Sequence, residues 1–250
     1  MFTDFKFRSP LVMAAMLVCG SAFAVPVTFF GEDVNLGGPN AGALPAIPNS
    51  EAAEAAFLAN LTGVGTEDFE GFSSGTGTPL PISFPGAGTA TISGSGNVAT
   101  GFVTGGRYPI SGSNFYNAST GSFSIAFDAV GGISAFGFYG IDVGDYGGTL
   151  SLALTTLGGD VVNLDVPLTS GTSGSTSASV MYFGFYDQST TYTNISFLNS
   201  STGDVFGFDD FTIGTADQVT PNPMPVPGTL PLLGAGLLAL GWAGRRRNKA

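Results

Sequence analysis

The chain has 250 residues and a formal net charge of −11, with eighteen Asp and Glu against seven Lys and Arg. Six of those cations stand near the two ends, so Arg107 alone faces the acids of the interior, and a body this acidic lacks the basic footprint that nucleic-acid binding requires. Histidine is absent and Cys19 is the only cysteine, which removes Ser-His-Asp and Cys-His catalysis and histidine-based zinc sites.

Lys6 and Arg8 precede an apolar stretch over residues 11–18 and the small-residue site Ser21-Ala22-Phe23-Ala24. This order of basic, apolar and small residues reads as a secretory signal peptide over residues 1–24, and the apolar run is well short of the ~20 residues a membrane span needs. Met16-Leu17-Val18 before Cys19 is a poor lipoprotein box. Cleavage after Ala24 removes that cysteine, leaving neither a disulfide framework nor a thiolate metal site. Asp4 is the only acid lost, so residues 25–244 carry seventeen acids against Arg107, a net −16 that favours solubility and cation binding.

Residues 25–65 read as an irregular arm with one short helix. Gly, Pro and Ala dominate residues 37–48. Ser50 is the expected N-cap, Glu51 and Glu54 stand in the first turn, and Ala52, Ala53, Ala55, Ala56, Phe57, Leu58 and Leu61 supply propensity and an apolar side before Gly63. Such a helix is too short to persist alone, so Phe57 and Leu61 are expected to dock on the sheet.

Residues 66–215 alternate as strands do, in Phe123-Ile125-Phe127, Leu150-Leu152-Leu154, Met181-Phe183-Phe185, Ile195-Phe197 and Phe211-Ile213. Turn residues recur between them and no helical period intervenes, so an all-β, antiparallel β-sandwich is expected, with a jelly roll as the preferred topology. Phe-Gly-Phe occurs at Phe136, Phe183 and Phe206; the unequal spacing argues against a repeat array and for packing of similar strands in one core. Residues 169–179, nearly all Gly, Ser, Thr and Ala, read as an exposed loop, and residues 216–226, with Pro221, Pro223 and Pro225, as an extended linker.

Residues 227–244 hold eighteen positions without a charge, enough for about 27 Å of helix at ~1.5 Å per residue, followed by Arg245, Arg246 and Arg247. That is the pattern of a C-terminal transmembrane helix, residues 227–250 forming the anchor and a basic tail whose arginines lie on the cytoplasmic side. With Pro225-Val226-Pro227 in front, the tail resembles the PEP-CTERM sorting signal, in which a proline motif precedes one membrane helix and a basic cluster. Val226 stands where the name-giving motif has glutamate. The resemblance implies recognition by an exosortase-like membrane protease, membrane attachment before processing, and an address at the cell envelope, cell surface or extracellular matrix of a Gram-negative bacterium. More weakly, Thr66-Glu67-Asp68-Phe69-Glu70-Gly71-Phe72 and the segment from Phe206 to Gly214 are similar to sandwich domains attached to such tails.

No catalytic residues emerge. Glycoside hydrolysis needs only two carboxylates, but residues 25–220 contain no tryptophan to wall a cleft, Trp242 being the only one, and no G-x-S-x-G elbow or phosphate loop is present. The first expectation is a non-enzymatic exported surface or matrix protein. The alternative is a calcium-stabilised carbohydrate-binding module recognising extracellular polysaccharide, with Tyr108, Phe115, Tyr116, Tyr139, Tyr146, Tyr186 and Tyr192 as candidate stacking residues. If the first and last strands of the sandwich pair, Glu67, Asp68 and Glu70 come near Asp209 and Asp210, a cluster suited to a structural calcium ion with hard oxygen ligands. Asp142 with Asp145, in a loop whose glycines allow a tight wrap, is the rival position.

Overall fold

Alternating apolar positions assemble into two antiparallel sheets in the computed structural model, which describes residues 25–118, 122–129, 131–201 and 203–220. The strands are β1 (Val27–Asp33), β2 (Thr66–Glu67), β3 (Leu80–Phe84), β4 (Gly88–Gly94), β5 (Asn97–Thr100), β6 (Asn114–Ala118), β7 (Phe123–Phe127), β8 (Ala135–Ile141), β9 (Leu150–Thr156), β10 (Val161–Asp165), β11 (Val180–Tyr186), β12 (Tyr192–Asn199) and β13 (Phe206–Gly214), with helix α1 (Pro48–Leu58) between β1 and β2. The first sheet has the order β1-β11-β8-β13-β6-β5, with β2 also pairing β13; the second runs β10-β9-β12-β7-β4-β3. The expected antiparallel sandwich is therefore present.

Its interior is aromatic. Phe136 and Phe138 on β8 meet Phe197 on β12, with the Phe138 and Phe197 centroids 5.1 Å apart, and Phe123 on β7 stacks on Phe197 at 4.3 Å. Edge-to-face and offset contacts of this kind add to the burial of the rings themselves. All six phenylalanines of the Phe-Gly-Phe triplets are buried.

The glycines of the first two triplets have a separate role. Gly137 and Gly184 are partners across β8 and β11, on the outer face of the first sheet. A Cβ on Gly184 would lie 2.9 Å from two ring atoms of Phe57, and one on Gly137 2.7 Å from a third. The bare backbone forms the trough in which α1 seats Phe57, which is fully buried and also touches Phe29 and Tyr182. This docking gives the first sheet a second apolar layer, including Tyr139, Ile141, Ala178 and Val180. It explains why every residue of β8 and β11 is buried, whereas β7 and β9 alternate.

Several expectations need correction. Residues 25–65 are not only an arm, because β1 pairs along its whole length with β11 and forms the edge of the first sheet. Ser50 is not the N-cap: Ile47 precedes the helix without a side-chain cap, Pro48 opens it, and Ser50 is fully buried inside the first turn. The capping acceptor comes from β1, where the Asp33 carboxylate accepts from the N–H groups of Asn49 and Ser50 at 3.2 and 2.9 Å and from the Ser50 hydroxyl at 2.8 Å. Helical orphan N–H groups need an acceptor, and a strand end beside the helix supplies one as well as a local serine does.

The start of the expected linker is tied down. Residues 216–218 form a 3-10 turn, Thr62 donates to Gln218 O, and Thr220 donates to Asn60 O. Residues 221–226, the signal peptide over residues 1–24 and the anchor over residues 227–250, with Pro225, Val226, Pro227 and the three arginines, lie outside the described residues. Among the described residues no helix is long and apolar enough to cross a membrane.

Candidate functional site

Antiparallel pairing sends the β8–β9, β10–β11 and β12–β13 connections to the same end of the sandwich. The long β5–β6 connection reaches them across the outer face of the first sheet, where a Cβ on Gly106 would meet Asp142 and Ser177. Four segments distant in sequence thus converge around Asp142, Asp145 and Asp204, whose exposures are 2%, 2% and 1%.

Arg107 is held on this cluster. Its Nε donates to Asn117 Oδ1 at 2.8 Å, its terminal nitrogens to the carbonyls of Val205 and Thr104, and its guanidinium lies 3.7 Å from Asp142 Oδ2. The other Asp142 oxygen accepts from Ala178 N–H at 2.8 Å. Burial nonetheless pushes the Asp142 carboxyl up to about 7, against the pull of Ala178 and Arg107. Burial also raises Asp145, and its negative neighbours Asp142 and Asp204 raise it further.

Residues 169–179 are in part the exposed loop read in the sequence, with Thr169, Ser170, Thr172, Ser173 and Ser175 open to solvent, but their last four residues are not. Thr176, Ser177, Ala178 and Ser179 are buried, and Ser179 links the loop to Asn35 near the end of β1. Small side chains were read as a sign of freedom, yet their size is what lets this backbone close over the acids and present N–H groups to them.

Two exposed aromatic rings flank the same loop. Tyr146, 57% exposed, follows Asp145 directly and brings its hydroxyl within 3.4 Å of where a Cβ on Gly174 would stand. Phe102, 52% exposed, stacks on Tyr108 with centroids 6.0 Å apart and planes 12° apart, and the Tyr108 hydroxyl donates to Ala178 O at 3.3 Å. Of the seven aromatics named as candidate stacking residues, only Tyr146 is open to solvent; Tyr108, Phe115, Tyr116, Tyr139, Tyr186 and Tyr192 are buried. Phe102 was missed, since nothing in a sequence of Phe-rich strands marks one phenylalanine as a loop residue facing water.

The proposed neighbours Glu67, Asp68, Glu70, Asp209 and Asp210 are brought together, because β2 pairs β13 with Glu67 opposite Phe211. Each of these carboxylates already accepts at least one hydrogen bond. Glu67 accepts from Phe69 and Ser83, Asp68 from Glu70, and Glu70 from Ser113 and Asn114. Asp209, with no exposure, accepts from Ile110, Ser111 and Asp210 N–H groups, and Asp210 from the Ser111 hydroxyl. Burial, then their mutual negative charge, raises the Asp209 carboxyl all the same. Backbone donors, which charge counting leaves out, answer part of the repulsion that motivated a calcium ion at this position. Among the described residues no three Asp, Glu, His or Cys side chains are placed to hold one metal ion.

Two other surfaces were considered as binding faces. A groove of 690 Å³ opens between the β9–β10 and β11–β12 turns; Leu157 and Val161 are its exposed apolar residues, and its one ring, Tyr192, is buried. The outer face of the second sheet presents Thr91, Ser124, Ala126, Ser151, Ala153, Thr155 and Ser196, with no aromatic ring among them. Among the described residues, the loop end alone combines exposed rings with buried acids.

No protein-family model matches the chain, and no curated protein matches it. Among solved structures it is similar to the K2 cleaved adhesin domain of Lys-gingipain, at 15% identity and a TM-score of 0.39 over 62% of this chain and 99% of that one. It is also similar to the CBM22-1 xylan-binding domain of Paenibacillus barcinonensis Xyn10C, at 10% identity and a TM-score of 0.37 over 63% and 94%. A third, a CBM61 domain in complex with β-1,4-galactotriose, has 15% identity and a TM-score of 0.27 over 50% and 88%. The functional reading is built on this chain's own residues.

Proposed function

We propose that this chain is a non-enzymatic carbohydrate-binding module of the bacterial cell surface or extracellular matrix, with a jelly-roll sandwich as its scaffold. The observation that carries the reading is the pair of exposed rings, Phe102 and Tyr146, standing over one tightly held loop at the end of the sandwich. Sugar rings present C–H faces that pack on aromatic planes while their hydroxyls need polar partners, and binding sites join a few such rings to oriented polar groups. The exposed Thr172, Ser173 and Ser175 of this loop supply those partners, and extracellular polysaccharide is the ligand class.

The ends of the sequence support an exported route to that surface: a cleaved signal peptide and an exosortase-like step acting on the Pro225-Val226-Pro227 tail, with transient membrane anchoring. The absence of histidine from the chain, and of cysteine from residues 25–220, supports a binding role over hydrolysis.

The test is a glycan array probed with the full chain in detergent, followed by titration of the best ligand into wild type and the Phe102→Ala/Tyr146→Ala double variant. Stacked rings contribute roughly 0.5–1.5 kcal/mol each, so the double variant is expected to bind at least about fivefold more weakly. Equal affinity of the two proteins, or no glycan retained by wild type, overturns the reading.

A further inference from the structure

The acids at the loop end are paired in a way that hydrogen bonding does not resolve. Asp204 Oδ2 accepts from Tyr146 and Gly148 N–H groups, each at 3.3 Å, so Asp204 sits inside the turn that Asp145 begins. Among the described residues, Asp204 Oδ1, Asp145 Oδ1 and the hydroxyl of Thr176 have no hydrogen-bond partner, although all three atoms are buried. Thr176, at 7% exposure, is as enclosed as a core side chain. A buried oxygen without a partner carries a desolvation cost, and here three of them occur on three different loops: Asp145 faces Asp204, and a Cβ on Gly171 would meet both the Thr176 hydroxyl and the Asp145 carbonyl oxygen.

The local charge points the same way. Asp142, Asp145 and Asp204 face one guanidinium, Arg107, which leaves two negative charges uncompensated at a buried position. Arg107 is committed to Asp142, Asn117 and two carbonyls and cannot turn toward the other two acids without breaking those bonds. The backbone is shaped around the pair: Gly144 and Gly147 take φ of 82° and 78°, and a Cβ on Gly148 would lie 2.7 Å from Asp204 Oδ2. Only glycine lets the turn wrap this closely.

We propose that Asp145, Asp204 and Thr176 hold one hard divalent cation, of the calcium class, that joins the β8–β9, β10–β11 and β12–β13 loops. Two carboxylates and a hydroxyl are oxygen donors, and the chain offers no histidine at all. Calcium takes six to eight oxygen ligands and accepts irregular geometry, with waters completing the shell, whereas zinc and copper favour nitrogen or sulfur. Two positive charges would balance the two left over. The site differs from the Glu67, Asp68, Glu70, Asp209 and Asp210 cluster, where no carboxylate oxygen is buried without a partner, and it differs from the rival Asp142 and Asp145 pair because Asp142 is committed to Arg107 and Ala178. It stands apart from the glycan reading, since the ion is bound beneath the surface that Tyr146 and Phe102 present.

The competing explanation is a proton shared between the two carboxylates, and one experiment separates them. Calcium chloride is titrated into the chelator-stripped full chain in detergent by calorimetry, and thermal unfolding is recorded with calcium or with EDTA at pH 6 and pH 8. Expected is one bound ion per chain and a midpoint higher by roughly 5–10 °C when calcium is about 100 times its Kd. Asp204→Asn should lose the ion, while Asp160→Asn, an exposed acid in the distant β9–β10 turn, should keep it. The Asp145→Asn/Asp204→Asn double variant no longer buries like charges side by side, so it should fold with a midpoint indifferent to calcium. A wild type that binds no calcium, or whose midpoint is the same with calcium and EDTA at both pH values, overturns the site and leaves the shared proton. Retention of the ion by Asp204→Asn does so too.

Discussion

Helix α1 seats one ring in a trough made by two glycines, so the ring and the missing side chains should be energetically coupled. Phe57→Ala removes a fully buried phenyl group from contact with Phe29, Tyr182 and the bare backbone at Gly137 and Gly184. Truncations of this type cost about 3–5 kcal/mol, as lost transfer energy plus the cavity left behind. The upper part of that range is expected, because an 11-residue helix has no stability of its own with which to follow the collapsing site. Gly184→Ala is the complementary change. Its Cβ would stand 2.9 Å from two Phe57 ring atoms and 3.1 Å from Tyr182, an overpacking that costs roughly 1–3 kcal/mol. In the Phe57→Ala background the phenyl clash is gone and only the Tyr182 contact remains, so Gly184→Ala should cost less there, giving a coupling energy of about 1 kcal/mol. Guanidinium unfolding of the four proteins of the cycle, with unchanged m values, measures it. If Gly184→Ala costs the same with and without the ring, the helix is not seated as described and the explanation of the Phe-Gly-Phe glycines fails.

Asp33→Ala should destabilise by about 1–3 kcal/mol, since it leaves the first-turn N–H groups of Asn49 and Ser50 without their acceptor, while the Ser50 hydroxyl keeps Val180 O; hydrogen exchange should locate the loss in residues 48–52, and a uniform loss across the sandwich would contradict the capping role. Stability should also depend on pH through Asp142. Its folded carboxyl is raised to about 7 from an ordinary 3.8, so between those values the folded state binds the extra proton, and stability declines as pH rises toward 7 by up to about 1.4 kcal/mol per pH unit. Asp145 and Asp209, also raised by burial, contribute to the same slope, so thermal midpoints in chelator should fall between pH 5 and pH 7 and fall less steeply in Asp142→Asn; an unchanged slope in that variant refutes the assignment.

The sandwich was legible because its strands follow a strict period of two: each phenylalanine or leucine in Phe123-Ile125-Phe127 and Leu150-Leu152-Leu154 points into one core, as alternation requires. The helix was legible too, as was its docking residue Phe57. Less legible was anything settled by neighbours remote in sequence. Asp33 replaces Ser50 as the capping acceptor because β1 ends beside the helix, and β1 itself is only seven residues in a stretch rich in Gly and Pro. Asp142 and Asp145 stood out as a loop pair, but Asp204 joins them through strand order, which puts the β12–β13 turn at the same end. One signal was available and unused. Phe206 and Phe208 occupy even positions and Phe211 and Ile213 odd ones, yet all four are buried, so the alternation must slip by one residue between them. The structure places a β-bulge there, between Asp209 and Thr212, with Asp210 at φ 50°.

That bulge and the loop end share a cause. A strand covered on both faces has no solvent side for polar residues, and β8, β11 and β13 are of this kind because α1 and the β5–β6 connection cover the outer face of the first sheet. Acids placed in or next to such strands are forced inside, as Asp209 is within β13 and Asp142 is directly after β8. At Asp209 the chain bends and gives the carboxylate three backbone N–H groups, which satisfies it locally. At the loop end three connections share the acids and leave three oxygens over. Burial still raises the Asp209 carboxyl, but both of its oxygens have backbone donors, whereas at the loop end one oxygen of Asp145 and one of Asp204 have none. The loop end is accordingly the place where the surrounding solution can act on this fold, and it is also the place where the chain exposes Tyr146.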